Sequence, residues 1–541
     1  MFKFPDIMRL ENISLESRID QLGTYGKPQR DFLQSNISNW ILSKKLADIK
    51  KAKEYYKNRN DIKDHKRYYI DRLGVKQEEK NLSNAKLSHP FFRKLVNQKV
   101  NYLLGKQLSL TCEDESFREI LKEFFTIDLH RSLQVLAKES CQTGISWLQA
   151  YYDKGGNLRF KHIPSDEVIA FWADTDHTKL DAVIRVYTIT KYEADGTITD
   201  VMKVEYHTAE GVWYYEMGDT GLINDPDQSA TLKGHFTISK PKVDSNNVPI
   251  VNAAGEQEYD ALEATWENIP FIPFKYNSDE VGLLDLIKPL VDDYDEITSS
   301  TSNTIKDIPN SIKVVKNYDG TDKAEFTQNI NTYRTAFVAG DGDVDTLETK
   351  LDITTIEGHL SRLRKDIYEA GSGVDTQETT LGNVSGVALK FRYADLDMDV
   401  SGMITEFTFA IEQIIWFIRV DAANKGKGDF RSVNVTPSFN IDVIINEKEV
   451  IGSSADSVGI ISDRTIVANH PWVTNAQEEL EQIEKEKAEK VKILEKLQQD
   501  TAILNTPIAS TVDKATKAQR IARQKMKSQK DPDRGKTKEL Q

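Results

Sequence analysis

The sequence predicts an α+β fold made of several structural units. Segments with apolar residues every three or four positions flank a run in which apolar and polar residues alternate, which indicates helices on either side of antiparallel strands. The 541 residues, 39% hydrophobic and 29% charged, provide enough chain to bury a core in roughly three to four domains of about 150 residues each. A single small binding module is therefore excluded.

The first predicted elements are helices. Residues 28–82 have a mostly helical composition, and eleven basic against five acidic residues lie between Lys44 and Arg72. This charge pattern indicates either a solvated helix face or a phosphate-contacting patch. Two further helical stretches are predicted, Leu87–Leu104 and Ser116–Thr143. We expect Pro90 in the first turn of the former and Gly105 just after its end.

The next region is predicted to be β-structure. Six runs are rich in β-branched and aromatic residues: Ile145–Tyr151, Leu158–Ile163, Val168–Trp172, Ala182–Tyr192, Met202–His207 and Val212–Met217. Turn residues between them favour an antiparallel meander. Residues 218–262, rich in Asp, Asn, Gly and Pro, are interpreted as a long surface insertion. A last strand over Ile269–Lys275 contains two prolines, so we expect it at a sheet edge.

Helical periodicity returns at Val281, where Pro289 is expected to start a second helix instead of lying inside one. The Ser/Thr-rich stretch 298–304 is a weak helix that needs packing partners. Four elements of a compact α/β unit are then predicted: a strand over Ile312–Val315, a turn over 317–320, a helix over 322–332 and a strand over 335–338. After them we expect a helix at 355–370, a flexible loop at 371–383 and a long helix at 386–424.

The C-terminal part is predicted to be a strand over 432–446 and helices over 455–499. From Ala476 the helix is dense in Glu and Lys, a composition suited to packing on partner helices. Residues 511–541 hold ten basic and four acidic side chains, a local charge of +6. Because the net charge of the whole chain is −14, the first 510 residues carry −20. An acidic body does not bind nucleic acid tightly as a whole.

The chain has no motif typical of catalysis. Gly535-Lys536-Thr537 resembles the end of a phosphate-binding loop, but Lys530 stands where the first glycine is required. Three acidic residues alternate as in a calcium loop: Asp341, Asp343 and Asp345. Because Thr346 and Asp352 replace the required Gly and Glu, we interpret the segment as a tight acidic turn. We therefore predict no catalytic residue, no metal ligand and no cofactor.

Two further patterns bear on the physical state of the chain. Cys112 and Cys141, the only cysteines, are expected to be buried thiols. The most hydrophobic window, 400–420, is interrupted by charged residues, so it predicts an amphipathic helix and not a membrane span. Several helices have too little of the chain packed around them to bury both of their faces within one subunit. This favours homo-oligomerisation.

Eight motifs resemble, in order, those of the portal proteins of tailed bacteriophages, in the branch found in long-tailed phages of Gram-positive hosts. They are Asn84–Phe91 running into Val96–Lys106, Ile269–Lys275, Tyr294–Ser300, Lys316–Gly320, Gly340–Leu347, Ser385–Leu389, Gly426–Phe430 and Ile461–Thr465. The resemblance spans about residues 50–490. The insertion at 218–262 and the basic tail depart from the family pattern, so we expect the tail either to contact DNA or scaffold or to be a solvated end.

The resemblance implies a portal fold with a mixed α/β wing, a two-helix stem, a small α/β clip, a long tunnel-loop helix and a helical crown. The implied regions are the wing at 1–280 with 386–446 returning to it, stem helices at 281–308 and 354–370, the clip at 309–353, the tunnel loop at 371–385, its lever helix at 386–424, a wing strand at 425–446, the crown at 447–500 and a disordered basic tail at 501–541.

The resemblance also implies function. Portal proteins form a ring, usually of about twelve subunits, at one capsid vertex of the virion. Double-stranded DNA enters and leaves through this ring, which docks the terminase large subunit and then head-completion adaptor proteins. The implied ring also contacts major capsid and scaffolding proteins, nucleates the procapsid in the host cytoplasm, and has no membrane partner. ATP is hydrolysed by the terminase, so the chain itself is not expected to be an enzyme.

Two groups of site residues follow from the resemblance. The DNA-proximal tunnel loop would contain Gly373, Val374, Asp375, Thr376, Gln377, Glu378, Thr379 and Thr380. Partner docking at the clip would involve Lys316, Asn317, Tyr318, Asp319, Asp341, Asp343 and Asp345. The loop carries two acidic and no basic residues, so it would follow the duplex by shape without ionic capture, with Gly371, Gly373 and Gly382 as hinges. The alternative is an exposed linker without DNA contact.

Two other classes of protein remain open from the sequence. One is a DNA-processing enzyme of a packaging complex, a nuclease or an ATPase. The other is a different head–tail adaptor ring, a class whose chains are usually far shorter.

Overall fold

The structure is a computed structural model that describes most of the chain between residues 28 and 504. The described ranges are 28–70, 73–80, 82–192, 196–218, 221–228, 232–242, 250, 259–307, 312–316, 343–347, 352–377, 386–439, 441, 447–470, 472–473 and 476–504. The chain divides into two compact units, Met1–Gly452 and Ser453–Gln541. Residues 501–504 of the expected disordered tail at 501–541 are helical, which corrects where the tail begins. The rest of the tail and the clip elements at 317–338 lie outside the described residues.

Helices make up most of the regular structure. In chain order they are α1 Pro28–Ile41, α2 Lys44–Tyr56, α3 Phe91–Leu104, α4 Glu115–Phe124, α5 Ile127–Thr143, α6 Leu283–Asp307, α7 Ile353–Ala370, α8 Gly386–Asn424, α9 Glu447–Asp456, α10 Asp463–Ala468 and α11 Ala476–Leu504. Short 3₁₀ turns cover Asp61–Asp64 and Ser165–Glu167. The long helix predicted over 386–424 is confirmed as α8.

Sixteen strands are described. They are β1 Tyr68–Ile70, β2 Lys76–Glu78, β3 Ser109–Cys112, β4 Ile145–Tyr152, β5 Leu158–Ile163, β6 Val168–Trp172, β7 Leu180–Tyr192, β8 Ile198–Thr208, β9 Gly211–Gly218, β10 Gly221–Asn224, β11 Phe236–Pro241, β12 Tyr259–Ala264, β13 Phe271–Lys275, β14 Ile312–Lys316, β15 Asp343–Leu347 and β16 Val435–Ser438. Helices α1 and α2 agree with the mostly helical expectation for 28–82, to which the structure adds the β1–β2 hairpin.

The strands form two main sheets instead of one meander. Strands β6 to β10 make a five-stranded antiparallel meander in sequence order, whereas β4 lies between β13 and β5 in a three-stranded sheet. Strand β13 is at the sheet edge as predicted, with Pro273 opposite Trp147. The insertion interpreted at 218–262 contributes β10 and the β11–β12 hairpin, so it is partly regular structure.

Two helix predictions are wrong in their boundaries. Helix α6 is continuous through Pro289 because Ile287 and Val291, on either side of the proline, are fully buried, and this packing outweighs one missing main-chain hydrogen bond. The stretch predicted at 116–143 is two helices, since Phe125 leaves helical geometry and ends α4.

Other predicted elements are shorter or divided. Of the strand expected over 432–446, residues 435–438 are confirmed as β16, which pairs with β3, while residues 440 and 442–446 lie outside the described residues. The helical region expected at 455–499 comprises parts of three helices, the first beginning at Glu447 and the last extending to Leu504. Helix α3 begins at Phe91, not Leu87, and Pro90 precedes it instead of lying in its first turn.

The main core surrounds α8. Its inward face is fully buried at positions spaced by three or four residues, namely Val400, Met403, Phe407, Ile411 and Ile414. This face packs with α3, α5 and the three-stranded sheet in one apolar cluster. The predicted amphipathic helix over 400–420 is therefore confirmed. Cys112 and Cys141 are free, buried thiols as expected, and burial raises the pKa of Cys141 to about 12.

Candidate functional site

The first half of the predicted tunnel loop is packed against α3. We call residues 371–377, the part of this loop that the structure describes, the loop root. The side-chain amide of Gln98 donates to the carbonyl of Val374 at 2.7 Å, and its oxygen accepts from the Val374 N–H at 3.1 Å. The expectation of a flexible segment is wrong for the loop root, because its backbone is held at both polar groups of Val374.

Two glycines allow this close approach. A Cβ on Gly373 would lie 2.0 Å from Leu95 Cδ2, and one on Gly371 would lie 2.7 Å from Leu95 Cδ1. Leu95 is fully buried, so it has little room to retreat. The contact therefore accounts for both glycines, which had been interpreted as hinges. The residue between them, Ser372, takes the left-handed conformation with φ of 47°.

The acidic residue of the loop root is neutralised within the fold. Asp375 accepts hydrogen bonds from Nε and Nη2 of Arg364, the latter at 2.7 Å. Its side chain is only 8% exposed. Burial acts to raise the pKa of the Asp375 carboxyl, but the bonds from Arg364 and from the Gln377 N–H outweigh it and hold the pKa below its ordinary value. Asp375 thus presents no free charge.

A buried lysine joins the loop root to α8. Lys99 is fully buried, and its ammonium donates to Asp399 Oδ2 at 2.6 Å and to the Ser372 carbonyl at 3.3 Å. Tyr276 donates its hydroxyl proton to the same carboxylate. Burial raises the pKa of Tyr276 far above its ordinary value, so the hydroxyl remains a donor. Helix α3, helix α8 and the loop root therefore meet at the Lys99–Asp399 ion pair.

The predicted DNA-proximal residues divide into packed and exposed groups. Gly373, Val374 and Asp375 are packed, whereas Thr376 and Gln377 are exposed. Lys94 donates to Thr376 Oγ1 at 3.3 Å. Glu378, Thr379 and Thr380 lie outside the described residues, as does Gly382.

The predicted clip residues meet on a hairpin. Strands β14 and β15 are antiparallel, and their register places Lys316 opposite Asp343 and Val314 opposite Asp345. Residues 343–347 form a strand, which corrects the interpretation of Asp343 and Asp345 as part of a tight acidic turn. Asn317, Tyr318, Asp319 and Asp341 lie outside the described residues.

Sequence reasoning missed a side-chain ladder on α6. We call residues 83–89, which precede α3, the strap. Four strap N–H groups donate to α6 side chains: Ser83 to Asp307 at 3.0 Å, Ala85 to Asn303 at 2.5 Å, Leu87 to Ser299 at 3.0 Å and His89 to Asp295 at 2.9 Å. The Ser/Thr-rich end of α6 was expected to need packing partners, and these bonds supply them. The only signal of this ladder in the sequence is the four-residue spacing of its polar acceptors, Asp295, Ser299, Asn303 and Asp307.

One acidic cluster has the spacing of a metal site but already holds a cation. Glu216, Asp225 and Asp227 lie close together. The Lys203 ammonium donates to all three, at 2.8, 2.7 and 3.2 Å. These bonds account for the clustering of the three carboxylates. In the part of the chain that the structure describes, no helix combines the length and apolar character needed to cross a bilayer.

The family is decided by comparison of the whole sequence. Residues 40–492 match the model of the family described as "Phage portal protein, SPP1 Gp6-like". The chain belongs to this family of phage portal proteins. The portal protein of Bacillus phage SPP1 is 29% identical over 408 residues, which are 75% of this chain and 76% of the relative. That of Clostridium phage phiCD119 is 26% identical over 452 residues, or 80% and 90% of the two chains.

Two solved structures are also similar to this portal protein. A chain in the virion of a native gene transfer agent particle is 11% identical with a TM-score of 0.37, covering 70% of this chain and 88% of that one. A chain in the neck of the same kind of particle, treated with C12 symmetry, is 12% identical with a TM-score of 0.38, covering 70% and 89%.

Family membership confirms the resemblance drawn from the eight motifs. The chain has the function of a phage portal protein, with a structural role in the virion capsid as part of a ring.

Proposed function

We propose that about twelve copies of this portal protein close into a ring at one capsid vertex and that duplex DNA passes through its centre in packaging and ejection. The family match over residues 40–492 is the observation that carries this proposal. The ring assembles in the host cytoplasm, docks the terminase large subunit and then head-completion proteins, and contacts capsid and scaffolding proteins. The chain itself has no enzymatic activity.

We assign residues 371–385 to the channel wall beside DNA. Support comes from the loop root, where the single charged side chain, Asp375, is paired with Arg364 and the two exposed residues, Thr376 and Gln377, are uncharged. A wall that neutralised phosphates would hold the DNA and resist its movement. Each neutralised phosphate would add about 0.9 to the slope with which the logarithm of the binding constant falls with the logarithm of the salt concentration. A loop without basic residues neutralises no phosphate and restrains the duplex by excluded volume.

The β14–β15 hairpin is assigned to the clip, where the terminase and later the adaptor dock. Support comes from the register that places Lys316 opposite Asp343 at one end of the hairpin. Charged residues of both signs at the end of a docking hairpin would steer association with a partner of complementary charge pattern.

Electron microscopy of the purified full-length protein tests the ring. We expect particles with a central hole and about twelve-fold symmetry, and a stable monomer at every protein and salt concentration would contradict the proposal. ATPase and nuclease assays on the same preparation are expected to show no activity above a mock purification. ATP hydrolysis or DNA cleavage that co-purifies with the ring would instead support a DNA-processing enzyme.

Two deletions test the channel assignment. Removing Thr376 to Leu381 should leave rings intact and reduce the yield of DNA-filled heads. Removing 378–381 alone keeps the Thr376 contact with Lys94 and separates loss of the wall from loss of the loop root. Normal DNA-filled heads with both deletions would refute the placement beside DNA.

A further inference from the structure

The strap and α6 are matched in spacing along their whole contact. The donors are two residues apart on an extended segment, which advances about 6.6 Å per pair. The acceptors are four residues apart on a helix, which advances about 6 Å per step. Because these two repeats nearly coincide, four consecutive bonds can form, in antiparallel order from Ser83 with Asp307 to His89 with Asp295.

The acceptors are committed to the strap and are largely shielded from water. Asp295, Ser299 and Asn303 are buried, and the Asp307 side chain is 19% exposed. Asp295 also accepts from the Asn60 amide at 2.6 Å, and Asp307 accepts from Arg67 at 2.9 Å. A buried acceptor without its donor is costly, so the strap and this half of α6 are held as one body.

The strap leads directly into the helix that holds the loop root. Helix α3 starts at Phe91, two residues after the last ladder bond, and its Gln98 and Lys99 bind the loop root. The Phe91 ring packs edge-on against Tyr294 of α6, with centroids 4.9 Å apart, and the Arg364 guanidinium lies 5.7 Å from the same ring. The ladder therefore ends beside the Arg364–Asp375 pair.

We propose that Asp295, Ser299, Asn303 and Asp307 are positioning residues, which fix α3 on α6 through the strap and thereby set the place of the loop root. The consequence for DNA rests on the proposed function of residues 371–385 as channel wall. The link between the ladder and the loop root does not rest on that proposed function, because it concerns only contacts within one subunit. A displacement of the α6 end nearest β14 then reaches the loop root through the ladder and α3.

Amide hydrogen exchange with residue-resolved mass spectrometry tests the ladder on the full-length ring. The N–H groups of residues 83, 85, 87 and 89 should exchange more slowly than those of 84, 86 and 88, which have no acceptor among the described residues. Equal exchange at all seven positions would overturn the ladder.

Variants of Asn303 test the link to the loop root. In Asn303→Ala the Ala85 amide should exchange roughly fivefold faster, the equivalent of one lost hydrogen bond, and amides of 371–377 about two- to fivefold faster. Asn303→Asp retains an acceptor and should restore both. Thr304→Ala is the matched control, since the Thr304 hydroxyl donates to the Ser300 carbonyl within α6 and lies outside the ladder.

The outcomes separate this inference from the proposed function. Faster exchange in the strap with unchanged exchange at 371–377 would overturn the link, whatever the packaging result. Coupled exchange together with DNA-filled heads in both loop deletions would keep the link and reject the channel wall.

Discussion

Arg364 holds Asp375 through two parallel hydrogen bonds, with Arg364 Nη2 2.7 Å from Asp375 Oδ1. The pair joins the last two turns of α7 to the loop root, eleven residues along the chain. Since a bidentate guanidinium–carboxylate contact fixes orientation as well as distance, the path of the chain as it leaves α7 is set before residue 378. The loop root is thus held near α3 by the Arg364–Asp375 ion pair together with Gln98 and Lys99.

Asp375→Asn should loosen the loop root. The substitution removes the charge while keeping the shape, and a hydrogen bond to a charged group contributes about 1.5–3 kcal/mol. We expect the amides of 371–377 to exchange at least about tenfold faster, measured by mass spectrometry on the intact ring. Glu369→Gln, a change at an exposed residue near the end of α7, is the control and should leave exchange unchanged. Unaltered exchange in Asp375→Asn would show that the contacts of Gln98 and Lys99 hold the segment without the ion pair.

The same pair predicts an acid limit. The pKa of Asp375 lies below its ordinary value in the fold, so the pair stabilises the folded form fully above the unfolded pKa of about 3.9. This contribution is lost as the pH falls through the lower, folded pKa. Exchange at 371–377, normalised to intrinsic rates, should stay constant from pH 7 to about 5 and rise only below about pH 4. A rise centred near pH 6 would point to a histidine instead.

Glycine content alone predicted the wrong property for the loop root. Glycine permits unusual backbone angles and also permits close approach, and the sequence does not distinguish the two. Here Gly371 and Gly373 face Leu95, a contact between residues about 280 positions apart in the chain. By contrast, the helix over 386–424 was predictable because its apolar residues repeat every three or four positions and the repeat depends only on local geometry.

Gly373→Ala should weaken the loop root because the new methyl group would meet Leu95 Cδ2 at 2.0 Å. Overpacking of this kind typically costs about 1–3 kcal/mol. Gly358→Ala on α7 is the matched control, because nothing lies within 4 Å of its Cβ position. Alanine there favours the helix by about 0.5–1 kcal/mol. Thermal unfolding at equal protein concentration should give a lower midpoint for the first variant and an equal or higher one for the second.

Polar contacts at the site were less predictable than the apolar core. The ladder uses Ser299 and Asn303, residues that disfavour helices in isolation, and its partners come from a segment more than two hundred residues earlier. Local propensity therefore indicated a weak helix and a proline break at Pro289, whereas tertiary bonds and buried apolar neighbours stabilise one continuous helix. The register of β14 with β15 likewise depends on pairing across residues 317–342.

Lys99→Met should destabilise the junction of α3, the loop root and α8. It leaves the Asp399 carboxylate with only the Tyr276 hydroxyl among the contacts described above, and removing one member of a buried pair costs about 3–5 kcal/mol. Because Asp399 is 24% exposed, we expect about 2–3 kcal/mol and a lower unfolding midpoint. Lys99→Met combined with Asp399→Asn should recover part of the loss. If the double variant is less stable than the single one, the two charges do not act as a pair.

Asp345→Lys should weaken docking of the terminase large subunit to the ring. Asp345 is the better test position, since the residue opposite it is Val314, whereas Asp343→Lys would place a second cation opposite Lys316 and disturb the hairpin itself. Reversing one charge at an interface rim slows association, and we expect affinity to fall about tenfold at low salt and less at high salt. Binding is measured with immobilised rings. Glu357→Lys, the same change at an exposed site on α7, should bind normally. Equal loss in both variants would indicate a general effect of net charge and remove the hairpin from the docking surface.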